Sequence, residues 1–233
     1  MTLAYFLHVD GPEAGLENFQ TWADQSFAPA LHRADASSRI EAFTPRGVDD
    51  PYLGNETGKL LIVQATFASR DALERAMSDT GVSAALASMP SHANVRVSDE
   101  AFTVHACPLM DGSTPSRRAP VSFVVRYYRP IDREREFTEY YIAHHPPIMA
   151  RFPGIRNIYC YLPVEWKGSG AIAPAESFLG NEIVFDSIEQ LAAALNSDVR
   201  HDLREDYRHF LPHEGDVTHF AMSRRVLFPG TGD

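Results

Sequence analysis

Apolar runs of strand length recur along the chain, and amphipathic or polar stretches separate them. "LAYFLHV" at 3–9 and "VSFVVRYY" at 121–128 are rich in β-branched and aromatic residues, as are "SRIEAFT" and "RNIYCYL", "LIVQATF" and "NEIVFDS". These runs predict strands. "EAFTVHA" and "THFAMSRRVLF" predict a closing strand for each half of the chain. Between the first and second strands of the second half, Phe137, Tyr140, Tyr141, His144 and Ile148 fall at i, i+3, i+4, i+7 and i+11, one stripe of a helix. "SRDALERAM" and "SIEQLAAAL" predict second helices, each opened by a Ser cap.

The same pattern appears twice. A shift of 118 residues lays "NFQTWADQSFAPALHRADASSRIEAFTP" on "EFTEYYIAHHPPIMARFPGIRNIYCYLP" without a gap. It pairs Phe19 with Phe137, Pro29 with Pro147, Arg33 with Arg151, Ile40 with Ile158 and Pro45 with Pro163, and later Phe67 with Phe185, Leu73 with Leu191 and Phe102 with Phe220. Two copies of one βαββαβ unit are expected, at 1–105 and 121–233, with the Pro/Ser/Gly-rich 106–120 as linker. That order is the split βαβ arrangement of ferredoxin-like units, with both helices on one sheet face. The fold class expected is α+β, two ferredoxin-like units packed sheet to sheet as an α+β barrel. Such a tandem closes internally, and a homodimer is left open rather than required. Two loops of 15 residues, 46–60 and 164–178, are expected as lids or partner surfaces.

Composition narrows the function. The 233 residues are 44% apolar, with a formal charge of −10 and no cluster of Lys and Arg suited to a phosphate backbone, so nucleic acid is not an expected partner. No apolar run reaches spanning length and the N-terminus lacks the form of a signal peptide, so no membrane partner and a cytoplasmic location are expected. Cys107 and Cys160 lack metal-finger spacing and are expected to be free thiols. There is no Gly-rich nucleotide loop, nucleophile elbow or H-E-x-x-H, and the tandem histidines have poor spacing for a metal, which is expected to be absent.

Chemistry concentrates in "FTEYYIAHHPPIMARFPG" at 137–154. Pro146 and Pro147 predict a helix ending near His144 or His145. A histidine there feels the negative helix end, which favours imidazolium, and burial beside tyrosines, which opposes it; a pKa near neutrality suits acid/base work. Phe137-x-x-Tyr140-Tyr141-x-x-His144-His145-x-Pro147, followed by Pro153-Gly154, resembles the signature of EthD-like members of the dimeric α+β barrel superfamily. The resemblance makes His145 the motif histidine and His144 an extra neighbour. In the first copy Phe27 and Ser26 answer these histidines, so the site is expected in the second copy alone.

Other polar residues stand at strand positions. Arg126 aligns with His8, Glu182 with Gln64, and Tyr159 and Tyr161 share one strand face; His219 lies in the last strand. The resemblance implies a cofactor-independent enzyme acting by proton transfer on a small aromatic or polyketide-like molecule, and a lyase is expected, decarboxylation first. His145 would be the acid/base and Tyr141 or Tyr140 its orienting or donating partner, with His144 a further catalytic candidate. Arg126, Glu182, Tyr159, Tyr161 and His219 would bind substrate, Arg126 meeting a carboxylate. The alternatives are a non-catalytic binding protein of a degradation pathway and a haem-binding protein.

Overall fold

The structure is a computed structural model that describes residues 2–36, 38–53, 58–110 and 119–230. The first half runs β1 (Leu3–Asp10), α1 (Leu16–Trp22), a π-helical turn (Ala23–Phe27), α2 (Ala28–Ala34), β2 (Ile40–Pro45), β3 (Lys59–Phe67), α3 (Arg70–Met77), α4 (Thr80–Ala87) and β4 (Arg96–Ala106). The second runs β5 (Val121–Tyr128), α5 (Glu134–Met149), β6 (Asn157–Pro163), the two-residue β7 (Ala173–Pro174), β8 (Ser177–Phe185), α6 (Ile188–Leu195), α7 (Asp198–Tyr207) and β9 (Val217–Phe228). Of the linker expected at 106–120, residues 111–118 lie outside those described.

The strands close into one antiparallel barrel in the order β1-β3-β2-β9-β5-β8-β6-β4, with β4 returning to β1. Each half contributes four adjacent strands, and the seams are β2 with β9 and β4 with β6. Hydrogen-bonded edges, not only packed faces, therefore join the halves, and closure removes the open edges that would invite aggregation.

Successive side chains alternate between the barrel interior and the helix-covered outer face. Ala4 and Phe6 point inward with Phe43, Ile62, Phe102, Val124, Tyr159, Tyr161 and Met222. Leu3, Tyr5, Leu7 and Val9 point outward against α1, α2 and α4, and Phe123, Val125 and Tyr127 do so against α5 and α7. Both sheet faces are thus buried, which is why β1, β5 and β8 read as almost unbroken apolar runs.

Three expectations need correction. Helix α5 does not stop at the histidines but continues through Pro146 and Pro147 to Met149. Proline's fixed φ is helical, and burial of His145, Pro146 and Met149 on the sheet offsets the missing N–H donors. Helices α4 and α7 were not expected; their small or polar composition hides a weak apolar stripe. The 118-residue register holds from β1 through the start of α7, but α7 is two residues longer than α4, so β9 is displaced by two. Ala4 faces Phe102 and the equivalent Ser122 faces Met222, which makes Met222, not Phe220, the counterpart of Phe102.

Candidate active site

Helix α5 lays Phe137, Tyr141, His145 and Met149 on the outer sheet face, four residues apart along one stripe. Helix α7 packs beside it and presents Asp206. His145 Nδ1 lies 2.7 Å from Asp206 Oδ2, both side chains are buried, and the imidazole packs at 5.0 Å, tilted against Tyr141 and edge-on to Phe210. A carboxylate only accepts, so Nδ1 carries the proton and Nε2 is left as the basic nitrogen. Burial lowers the His145 pKa and Asp206 opposes that shift. The imidazole therefore rests neutral near pH 7.

His145 lines a cavity of about 40 Å3 with Tyr127, Asn181, Arg200, His219 and apolar residues including Phe123, Met149 and Leu203. Asn181 Nδ2 donates to the Tyr141 hydroxyl at 2.6 Å, and the Tyr127 and Tyr141 hydroxyls are hydrogen-bonded to each other. Burial pushes both phenols well up, so each stays protonated. Asn181 Oδ1 is buried with no hydrogen-bond partner among the described residues. Such an acceptor costs about 1–3 kcal/mol unless something donates to it. Arg200 is held bidentately by Asp50, at 2.9 and 3.2 Å, which ties the β2–β3 loop across to α7.

The expected site residues divide between two faces of the sheet. His145, Tyr141 and His219 lie together on the outer face, and Tyr140 reaches the same aspartate, its hydroxyl 3.4 Å from Asp206 Oδ1. His144 is exposed, with Nδ1 at 2.8 Å from the Tyr140 carbonyl of its own helix, and it does not line the cavity. The helical turn of about 100° per residue directs adjacent side chains to different faces.

Arg126, Glu182, Tyr159 and Tyr161 point into the barrel, so the wall of the sheet separates them from His145. Arg126 Nε donates to Glu100 Oε1 at 2.8 Å, its guanidinium lies 4.5 Å from the Phe6 ring centre, and its side chain crosses Gly180, where an added Cβ would lie 2.7 Å from Nη1. Glu182 accepts from Ser122 at 2.6 Å and from Tyr161 at 2.5 Å, and Arg224 adds a contact at 3.1 Å. Gln64, the counterpart of Glu182, donates to that same Tyr161 hydroxyl at 3.3 Å. These groups pair with one another across the barrel interior, although Arg126 Nη2 and Gln64 Oε1 stay buried with no hydrogen-bond partner among the described residues. The carboxylate-binding role expected of Arg126 has no support in this placement.

Asp206, Asn181, Tyr127 and Arg200 escaped sequence reasoning. Asp206 follows Val199 by seven residues and Leu203 by three on a helical stripe, where an apolar residue is the ordinary choice, and that was the available signal. Cys107 and Cys160 are free and buried, with Sγ atoms 3.7 Å apart. Among the described residues there is no group of His, Cys, Asp and Glu able to hold a metal, and no helix long and apolar enough to cross a membrane.

No protein-family model matches the chain, and no curated protein does. Among solved structures it is similar to an anthrone oxidase-like protein, with a TM-score of 0.60 and 11% identity over 99% of this chain and 97% of that one. A candidate monooxygenase from Lactobacillus acidophilus gives 0.56 and 9% over 98% and 97%. An EthD family protein from Bacillus halodurans gives 0.35 and 22% over 43% of this chain and 95% of its own. At these identities the likeness is one of fold: an α+β barrel, closed here within one polypeptide.

Proposed function

We propose that the protein is an EthD-like tandem duplication, with units at 1–105 and 121–233, and a cofactor-independent enzyme. It moves protons on a small, largely apolar, aromatic or polyketide-like molecule, with His145 as the base. The buried His145–Asp206 pair beside a cavity carries this reading. Neutral Nε2 takes a proton from an acidic C–H or O–H of the substrate; Asp206 holds the resulting imidazolium, which returns the proton to another atom. Asn181 Oδ1 supplies an acceptor for a substrate hydroxyl, and the Tyr141 ring, packed at a tilt against the imidazole, helps to orient it.

A base that rests neutral favours reactions opening with proton abstraction, so enolisation, dehydration or cyclisation stands ahead of decarboxylation within the lyase class. Removing Arg126 from the site withdraws the reason for placing carboxylate loss first.

The test is incubation of wild type and His145→Ala with a panel of phenols and aryl ketones in D2O, followed by mass spectrometry. Deuterium uptake, or loss of 18 or 44 mass units, by wild type alone is the expected result. No change in any compound, with thermal stabilisation by some, would replace catalysis by binding.

A further inference from the structure

The cavity beside His145 is one end of a longer space. It shares Phe123 and His219 with a cleft of about 610 Å3, and that cleft shares Gly11, Gly58, Lys59 and Phe220 with a cavity of about 700 Å3 at the barrel mouth. Lys59 is the one cation among the described residues common to both larger spaces. Of the others, Arg46 Nε donates to Ser223 at 2.7 Å and Arg129 is bound twice by Glu134.

Lys59 is buried, 6% exposed, yet among the described residues it has a single carboxylate partner, Asp10 at 2.5 Å, and lies 5.5 Å from the Phe220 ring centre. An ammonium has three N–H donors, and Asp10 occupies one. Burial lowers its pKa, Asp10 and then Glu100 oppose the shift and Arg126 adds to it, and burial outweighs the two carboxylates. A further anion would restore the balance. The cleft around it is mixed: Leu16, Leu53, Leu60, Phe123 and Phe220 form its apolar walls, and Glu13, Arg46, Asp50 and His219 also line it, Asp50 being engaged by Arg200.

We propose that Lys59 reads an anion in this cleft, and that the ligand is an aryl carboxylate whose ring body lies along Phe123 and Phe220 with its carboxylate on the ammonium. The opposite end of the molecule passes His219 toward His145. Only that orientation rests on the proposed reaction; the anion site does not.

Calorimetry with 2-naphthoate and its neutral analogue 2-naphthalenemethanol tests this on the full chain. Wild type should bind the carboxylate at least about tenfold more tightly, as a charge-assisted hydrogen bond implies. Lys59→Met should erase that preference and leave the alcohol within about twofold. Measured at a pH low enough to keep the ammonium protonated without Asp10, Asp10→Asn should tighten naphthoate, because it frees a donor and removes a competing anion; a purely structural ion pair would not give opposite signs. The double variant Asp10→Asn/Lys59→Met leaves neither charge unpaired and should behave as Lys59→Met even if the single variant folds poorly.

His145→Ala should leave these affinities within about twofold, so lost turnover with intact binding concerns the base alone. Wild-type turnover that fails while naphthoate still binds through Lys59 would reject the catalytic reading and keep the anion site. Equal binding of both probes by wild type, a preference that survives Lys59→Met, weaker naphthoate binding in Asp10→Asn, or no naphthoate binding at millimolar concentration would each overturn the proposal.

Discussion

The two helix-covered faces of the barrel share one scaffold and fill it in opposite ways. In the second half, α5 offers Tyr141 and His145; the same places in the first half hold Ala23 and Phe27. Asn181 is answered by Val63 and Arg200 by Val82. Phe27 stacks on Trp22 at 5.0 Å and packs 6.4 Å from Tyr5, and Trp166 from the other half closes on Tyr5 at 5.7 Å. Three residues past the end of β2, where Trp166 stands past β6, the residue is Val48, and it lines the open cleft instead of plugging it. Each half's long loop thus covers the other half's face, and the size of one side chain on that loop separates a filled face from an open one. The π-helical turn at Ala23–Phe27 falls on the filled side, where rings take the space.

The hardest test of that contrast compares equivalent positions. His145→Ala should cut turnover by about 10²- to 10⁴-fold in protein that still folds, beyond any stability lost by leaving Asp206 without its partner. Phe27→Ala should leave turnover intact and cost about 3–5 kcal/mol, since a fully buried ring is removed. Similar stability losses with unchanged turnover in both would break the distinction between a working face and a packed one.

The barrel interior supplies a control that belongs to neither face. Arg126→Met should destabilise by about 3–5 kcal/mol, because Glu100 would keep a buried charge without that guanidinium. Selective loss of turnover at full stability would show instead that the interior reaches the substrate. A smaller and more pointed change copies the plug: Val48→Trp should lower naphthoate affinity about tenfold or more with little loss of stability, because the cleft has room for the ring. Unchanged affinity would mean that the loop does not gate the space.

How much of this the chain declared depends on which forces act. Strands were legible because burial on both sheet faces writes long apolar runs, and Ser69 and Ser187 cap α3 and α6 at 3.2 and 3.3 Å as their positions implied. His145 was legible through its motif. Asp206 was not, since α7 reads as a polar surface helix and the pairing spans 61 residues of chain. Nor could composition say which way Arg126 points: alternation fixes that Arg126 and Val125 face oppositely, but both faces are buried here, so neither apolar nor polar neighbours mark the inside. The helix boundary at Pro146 failed for the same reason, tertiary burial outweighing local preference.

The finest test concerns the proton itself. Burial holds the His145 pKa below the ordinary 6.5, so the unfolded chain binds more protons just under that value, and stability should fall as pH drops through 6.5 toward the folded pKa. For a neutral base, the acid limb of kcat/KM should likewise lie below 6.5 and activity should level off above it. Asp206 opposes the burial effect, so Asp206→Asn should move that limb to still lower pH. It should also lower the plateau, about tenfold or more, because an amide can donate to Nδ1 and shift the proton to Nε2, the wrong tautomer for abstraction. Asp206→Ala separates these effects, since it removes the hydrogen bond and offers no donor. A limb that stays in place in both variants would leave Asp206 as a packing partner, and the difference between the two faces would then reduce to which one is open.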